Sequence, residues 1–465
     1  MGLKDIFSRK GEKKPASYAE IEEASNKPES TSGYVFGIWD TFSLPNSDDL
    51  VVTGWIKGTI YARDTVYLAN PGQDNDTVIS NTIVEIRTSP HEVVQKASDC
   101  YATLRLEKGK LQNIKRGMVL FSKVATVADV YDEYAKTVGF IYAKRQNLEL
   151  SDNDIEELSI TDCVEIWRMF SVLHSKKDQT ESEETKQENK RKLDILGAAL
   201  SKKILEADAI YCVYSKDTGE PYMFSQTVKQ NDEGYLCTPP NILIFAEADK
   251  RMMEKRFSEE QFEIKKIENG ESKDGIYNFL GSTFYLNGAC GASIISEQTT
   301  IVAGMLVPPP DYSNARPQDI PVTNPALVRW ILLLGQLSKP EGADAELVYT
   351  LYYRFMSKEM VKAKFLIPVQ SDSELPKGDE NGETVLKQGA GIKLPTMEGK
   401  YDRPAVRMYT DWKRLRMVYG TEWNGLVQSI DGMIGVFDCA INVTEYLKAG
   451  SYISADMFEE MKKFG

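Results

Sequence analysis

Between Gly33 and about Lys123, β-branched and aromatic residues recur at every second position, in short runs separated by turn residues. The runs are Tyr34-Val35-Phe36-Gly37-Ile38, Val51-Val52-Thr53-Gly54-Trp55-Ile56, Thr65-Val66-Tyr67-Leu68, Thr82-Ile83-Val84-Glu85-Ile86 and Ala102-Thr103-Leu104-Arg105-Leu106. Successive side chains of a strand point to opposite faces, so each run can bury one face only and has to find neighbours that cover it. Turn residues such as Pro45-Asn46-Ser47-Asp48 and Asn70-Pro71-Gly72 stand between the runs. Short strands at this spacing predict a small barrel or sandwich. Gly54 and Gly58 fall inside a strand pattern, where glycine marks a bulge or a tight corner.

The same segment resembles a known family. Val51-Val52-Thr53-Gly54, Lys57-Gly58-Thr59-Ile60 and Asp64-Thr65-Val66-Tyr67-Leu68 look like the second, β-barrel domain of translation elongation factor Tu and related GTPases. Val93-Val94, Ala97, Asp99, Leu104-Arg105-Leu106 and Ile114-Lys115-Arg116-Gly117-Met118-Val119-Leu120 continue the likeness to about residue 123. In translation factors this barrel is a contact module for RNA ends, the ribosome or neighbouring domains, so the resemblance implies a binding barrel. The nucleotide machinery is missing from the sequence. It has no GxxxxGK[ST] loop, and Asn26-Lys27-Pro28-Glu29 is not the guanine-reading NKxD, so nothing supports GTP hydrolysis.

Charge and chemistry-bearing residues narrow the function classes. Across 465 residues, 56 Lys+Arg against 69 Asp+Glu give a net charge of −13, so extended nucleic-acid binding would need a segregated basic face. The six cysteines, Cys100, Cys163, Cys212, Cys237, Cys290 and Cys439, are all far apart, which excludes a CxxC zinc or redox pair. No apolar run is long enough to span a membrane, and MGLKDIFSRK lacks the apolar stretch of a secretory signal. Scattered single thiols without a signal predict a cytoplasmic location. A nucleophile needs a base beside it, and the chain holds two histidines, His91 and His174, in unrelated segments. Both read as structural: His91 at a strand start after Pro90, His174 at a helix end.

The remaining chain alternates helices and strands. Residues 1–32 read as a flexible tail led by the short amphipathic turn Leu3–Phe7, and 33–125 as the barrel. Residues 126–192 read as a helical connector containing Ala128–Tyr134 and an amphipathic stretch at 161–174. It ends in the charged run Lys176–Lys192, a solvated linker in preference to an exposed helix start. From 193 onward an internal repeat of domain length begins. Its first copy, 193–315, carries a helix at Leu193–Ala207, strands at Ala209–Tyr214, Tyr222–Ser225, Ile242–Ala246 and Thr300–Val307, and a helix at Asp249–Arg256. The second, 320–465, carries helices at Asn324–Leu337 and Asp344–Met360 and strands at Phe365–Val369, Gly391–Thr396 and Ala405–Thr410. A helix opening at Asp411-Trp412 and late elements at Met433–Phe437 and Ala440–Asn442 complete it. Such alternation predicts mixed α/β modules with helices packed on a sheet.

The second copy resembles the SseB-like proteins of bacteria, through Asn324-Pro325-Ala326-Leu327, Phe365-Leu366-Ile367-Pro368, Pro404–Asp411 and Ile441-Asn442. Where that family commonly has Asn-Pro near the last strand, this chain has Asn442-Val443. The first copy fits more loosely, through Ala207–Tyr211 and Ile242–Glu247.

Several groups invite a functional reading and receive a structural one. Cys290 follows the φ > 0 turn pair Asn287-Gly288 and has no histidine in its half of the chain. Thr410-Asp411 caps the helix opening at Trp412. Pro308-Pro309-Pro310 reads as a rigid connector, Lys377–Gly382 as a loop tip with a hairpin signal at Asn381-Gly382, and Trp330, Trp412 and Trp423 as core residues. Arg403, Arg407, Lys413, Arg414 and Arg416 read as a solvated basic face. The expectation is a multidomain, non-enzymatic interaction protein: a translation-factor-type barrel plus two SseB-like modules, with protein partners and no catalytic residue, cofactor or metal. The alternatives are a ribosome- or RNA-associated factor using the barrel, and an enzyme with an unrecognised site.

Overall fold

A computed structural model describes residues 33–90, 92–144, 150, 152–175, 182–229, 234–296, 298–316, 319–337, 343–371, 391–399, 403–445 and 447–464. The expectations for the tail, His91, the side chain of His174, residues 176–181 and the loop Lys377–Gly382 fall outside these residues. The chain divides into two compact units, Met1–Lys203 and Ile204–Gly465.

The first unit is built on β1 (Tyr34–Ser43), β2 (Leu50–Tyr61), β3 (Thr65–Asn70), β4 (Asp74–Ser89), β5 (Glu92–Val94), β6 (Lys96–Ser98), β7 (Tyr101–Leu106) and β8 (Val119–Phe121). Six of them form a ring in the order β1-β8-β3-β4-β7-β2, and antiparallel pairing of β1 with β2 returns it to its start. It is a closed antiparallel barrel, and closure leaves no sheet edge within the ring. The alternation seen in the sequence sets its inside: Phe36, Ile38, Val52, Ile56, Ile83, Ile86, Leu104 and Leu106 fill the interior. One glycine makes the β1–β2 seam possible and another admits the helix packed outside it. A Cβ on Gly54 would lie 1.9 Å from the Gly37 carbonyl oxygen, and one on Gly37 would lie 1.7 Å from Thr137 Oγ1. At Gly58, φ is +92°, a conformation that side chains resist.

Helices α1 (Val127–Gly139), α2 (Asp152–Glu157) and α3 (Ile160–Ser175) follow the barrel. Thr126 and Asp129 form a capping box that starts α1, whose Thr137 lies over Gly37 on the barrel wall. The charged run departs from its expectation. From Glu183 it belongs to α4 (Glu183–Glu206), because Glu183–Lys186 and Glu188–Arg191 pair one turn apart at 2.6 and 2.9 Å and support a helix.

The second unit contains the same strand plan twice. After α4 come β9 (Ala209–Ser215), β10 (Met223–Phe224), β11 (Asn241–Phe245), α5 (Lys250–Arg256), β12 (Phe262–Glu268), α6 (Gly275–Tyr285), β13 (Gly291–Ile294), β14 (Thr300–Val302) and α7 (Ala303–Leu306). Then follow α8 (Pro325–Gln336), α9 (Ala343–Lys362), β15 (Phe365–Ser371), β16 (Thr396–Met397), β17 (Ala405–Met408), α10 (Trp412–Arg416), β18 (Asn424–Gln428), β19 (Asp438–Ile441), β20 (Ser451–Ile453) and α11 (Ala455–Lys462). The first copy orders its sheet β12-β9-β11-β13-β14, with β10 added to β11. In the second, β18 pairs with β15, an antiparallel bridge between Leu366 and Tyr409 joins β15 to the β17 chain segment, and the order continues through β19 to β20, with β16 added to β17. Each copy has one parallel pair, β11–β13 and β17–β19, with all other pairs antiparallel.

The equivalence extends to single residues. Ile295 and Asn442, each just after the parallel strand, have φ of 64° and 52°, and their amides donate to Ile244 and Met408 carbonyls at 2.9 Å in both cases. Asparagine tolerates this left-handed backbone far better than a β-branched residue does. Three expectations need correction. Thr300–Val307 is a strand only to Val302 and then turns helical; Gly391–Thr396 supplies only two-residue strands at Ile392–Lys393 and Thr396–Met397; and Met433–Phe437 is a turn. Short apolar runs carry no periodicity long enough to separate these outcomes.

One buried carboxyl makes the α1–barrel packing pH-dependent. Burial holds the Glu133 carboxyl above its ordinary range. Below the unfolded-state value both states are protonated. As pH rises past it, the unfolded chain releases its proton first, so stability is lost up to the folded-state value. Glu133→Gln is therefore expected to gain on the parent protein as pH rises above the ordinary carboxylate range, read as a widening difference in melting temperature; a constant difference would contradict this.

Candidate functional site

The strongest concentration of buried polar groups lies in the second unit, where the two copies meet. Asp411 begins α10, and its side chain accepts from the Arg414 amide at 2.9 Å, the helix cap expected from the sequence. It has a second role. Arg414 Nη1 donates to Asp411 Oδ2 at 2.6 Å, while Nη2 donates to Glu220 Oε1 at 3.1 Å and to Asn287 Oδ1 at 2.9 Å. Asn287 Nδ2 closes the loop by donating to Glu220 Oε2 at 2.9 Å. Arg414 is 3% exposed and Asp411 1%, so this guanidinium belongs to no solvated face, against expectation. Lys413 and Arg416 of the same basic run are exposed, as expected.

The surrounding elements aim these groups. Asn287 is held at the end of α6 by a turn in which Gly288 takes φ +82°; a Cβ there would lie 1.9 Å from the Pro325 carbonyl oxygen at the start of α8. Arg329 of α8 donates to the Gly288 carbonyl at 2.5 Å. On the other side, buried Asn442 accepts from the Thr410 amide at 3.2 Å and donates to its hydroxyl at 3.0 Å. That hydroxyl donates to Asp411 Oδ2 at 2.9 Å. Gln336 Oε1, which accepts from the Met223 amide at 3.2 Å, and Lys413, whose ammonium donates to Ser282 Oγ at 2.7 Å, add contacts along the same junction. Each carboxylate here meets a donor and the two share one guanidinium, so the cluster can cement the copies together without leaving a buried charge unpartnered.

A cleft of about 420 Å³ opens beside the cluster, with Tyr214, Glu220, Phe279, Ser282, Asn287 and Lys413 among its walls. Burial pushes the Tyr214 hydroxyl well above its ordinary range, which keeps it a neutral donor and acceptor. The cleft therefore offers an apolar wall with a cation and a carboxylate beside it.

The first unit has a cavity of about 460 Å³ lined by Asp40, Gln73, Arg116, Tyr142 and Asp162, among others. Arg116 pairs with Asp154 and lies 5.4 Å from the Tyr142 ring centroid. Burial is the main cause that pushes the Tyr142 hydroxyl up to about 12. On the barrel's outer wall, Trp55 of β2 stands opposite Tyr101 of β7. Trp39 lies 5.5 Å from Tyr101 and stacks on Phe140 at 4.3 Å. Trp55 and Tyr101 are each 45% exposed. This aromatic ladder was missed in the sequence; the signal was present in Trp55 alternating with buried Gly54 and Ile56.

The other chemistry-bearing residues are dispersed. All six cysteines are free. Burial pushes the Cys163 and Cys439 thiols up to about 12, so they behave as small apolar side chains. Cys290 follows the Gly288 turn, and no two of the six share a site. Trp330, Trp412 and Trp423 are half-buried, the first two against the cores of the second copy. Among the described residues, no three His, Cys, Asp or Glu are grouped to hold a metal ion, and no helix is long and apolar enough to cross a membrane.

These features define a multidomain protein with a closed N-terminal β-barrel and a duplicated α/β unit. The chain has weak structural similarity to translation elongation factor SelB from Methanococcus maripaludis, both in its apo form and in complex with the GTP analogue GppNHp. In each case identity is 19%, the TM-score is 0.18, and the match covers 23% of this chain and 22% of that one. The chain thus matches about a fifth of the length of those factors. No protein-family model matches the chain, and no curated protein does.

Removing the guanidinium leaves Asp411 buried, and Glu220 part-buried, without their cation. Arg414→Met is expected to lower stability by about 3–5 kcal/mol, whereas Lys413→Ala, at an exposed position, should change it by about 0.5 kcal/mol or less. Urea titrations of both variants check this; similar small losses would show that the junction does not depend on the buried pair.

Proposed function

We propose that this chain is a non-enzymatic contact protein of the cytoplasm, in which an elongation-factor-Tu-like barrel and two SseB-like modules serve to hold other macromolecules. The observation that carries the reading is the aromatic ladder on the barrel wall. Soluble proteins rarely expose adjacent large aromatics, and Trp and Tyr are concentrated where proteins bind one another. Trp55 and Tyr101 sit on paired strands and Trp39 stacks on Phe140, so little side-chain entropy is lost when a partner covers them. The SseB-like assignment draws on the residues quoted from the second copy and on the repeated strand plan, in which the first copy keeps the topology with Ile295 where the second has Asn442. The buried Arg414 cluster supports a scaffolding role for that unit, since its charged groups are engaged with one another.

A second reading, a ribosome- or RNA-associated role for the barrel, is favoured by Lys57. It is exposed and two residues from Trp55 on the same outward face of β2. Aromatic rings next to cations stack bases as readily as they cover apolar side chains.

Affinity capture from extracts of the source cells at physiological salt separates these readings. The wild-type chain is expected to retain a stoichiometric protein partner, and a Trp55→Ala/Tyr101→Ala variant with an unchanged melting temperature should retain at least about tenfold less. Recovery of ribosomal particles or RNA instead, released as salt rises, would favour the second reading. Equal retention by both chains would overturn the role given to the ladder.

A further inference from the structure

The two copies of the strand plan end on equivalent edges with opposite chemistry. In the first copy the outer strand is β12, Phe262-Glu263-Ile264-Lys265-Lys266-Ile267-Glu268, which carries two lysines and two glutamates. Charges of this kind keep one sheet edge from pairing with another. In the second copy the outer strand is β18, Asn424-Gly425-Leu426-Val427-Gln428, with no charged residue.

The register shows which backbone groups β18 leaves free. Leu366 exchanges both of its backbone hydrogen bonds with Tyr409, at 2.8 Å each, so its polar groups face away from β18. Pro368 has no N–H to give. In an antiparallel pair the bonding residues alternate, so Phe365, Ile367 and Val369 bond to their register partners Gln428, Leu426 and Asn424. Gly425 and Val427 consequently direct their N–H and C=O groups toward the outer side, where no described strand lies. The side chains beside them are apolar and uncovered, Leu426 being 37% and Val427 43% exposed. Gly425 cannot carry a blocking side chain, since its Cβ would lie 2.7 Å from the Trp412 ring.

We propose that β18 is the interface of a homodimer, in which two copies of this chain pair their β18 strands antiparallel about a two-fold axis at Leu426. The segment is self-complementary in a way that selects a second copy. The axis places Gly425 of each chain opposite Val427 of the other, so the outward N–H and C=O groups of both residues are satisfied together. Asn424 meets Gln428, Leu426 meets its own symmetry mate, and no like charges come into opposition. The same operation centred on β12 would set Lys265 against Lys265. A five-residue ladder buries less than a standard interface, so the dimer is a weak one that forms with rising concentration. The inference is independent of the aromatic ladder and of the proposed function.

Sedimentation equilibrium of the full chain between roughly 10 and 300 µM, a range suited to small interfaces, tests it together with two variants. The wild-type mass is expected to rise from 52.4 kDa toward twice that value. Val427→Lys should weaken association at least tenfold, because it sets lysines on both sides of the pairing. Leu426→Cys should give a disulfide-linked dimer under mild oxidation that the wild type does not give. The two residues would form a non-hydrogen-bonded pair about 4.5 Å apart between Cα atoms, within disulfide reach. A wild-type chain that stays monomeric, association unaffected by Val427→Lys, or a Leu426→Cys chain that does not cross-link would each overturn the proposal.

Discussion

The barrel depends on β1 having a partner on both sides. Pairing with β8 along one edge and with β2 along the other turns a row of strands into a ring, and the ring fixes which residues are outside. Gly54 is the steric condition for the seam, where its Cβ would run into the Gly37 carbonyl, and Gly37 is the condition for α1, whose Thr137 side chain occupies the place of a Cβ there. Once the ring closes, Phe36, Val52 and Leu104 have to face inward, and Trp55 and Tyr101, one residue out of phase with them, have to face solvent. The exposed aromatics are therefore a consequence of closure on a strict two-residue period.

The second unit meets a different constraint. Two copies of one strand plan share a junction, and that junction is polar. A single guanidinium there reaches Asp411 in its own copy and Glu220 and Asn287 in the other. Because a buried cation is costly unless it is fully paired, this arrangement tolerates only one relative placement of the copies. The left-handed residue after each parallel strand shows how far the duplication has drifted. Asn442 uses its side chain to hold Thr410, next to Asp411, whereas Ile295 keeps the backbone conformation without the polar contacts.

Much of this was legible in the sequence, and the boundary of legibility has a physical cause. Strands with clear alternation, such as Ala102–Leu106, or with an unbroken apolar run, such as Ala209–Tyr214, announce themselves, and the duplicated order of elements could be read from the spacing of apolar runs. Two places where reading failed are local competitions. The charged run around Glu188 has the composition of a linker, yet its Glu-to-Lys and Glu-to-Arg spacings of three and four residues stabilise a helix. Ala303–Leu306 follows a strand without any break in hydrophobicity, so nothing in the pattern marks the change to helix. The site was least legible. Arg414 lies in a basic stretch that looks solvated, and only the fold brings Glu220 and Asn287, distant in sequence, to its side.

The account turns on the outer wall of the barrel being covered by whatever the chain binds. Hydrogen exchange of the chain alone and in complex with its captured partner measures this directly. Slower exchange confined chiefly to β2 around Trp55 and to β7 around Tyr101 is the expected result. Protection that appears only elsewhere in the chain, with these two strands unchanged, would contradict it.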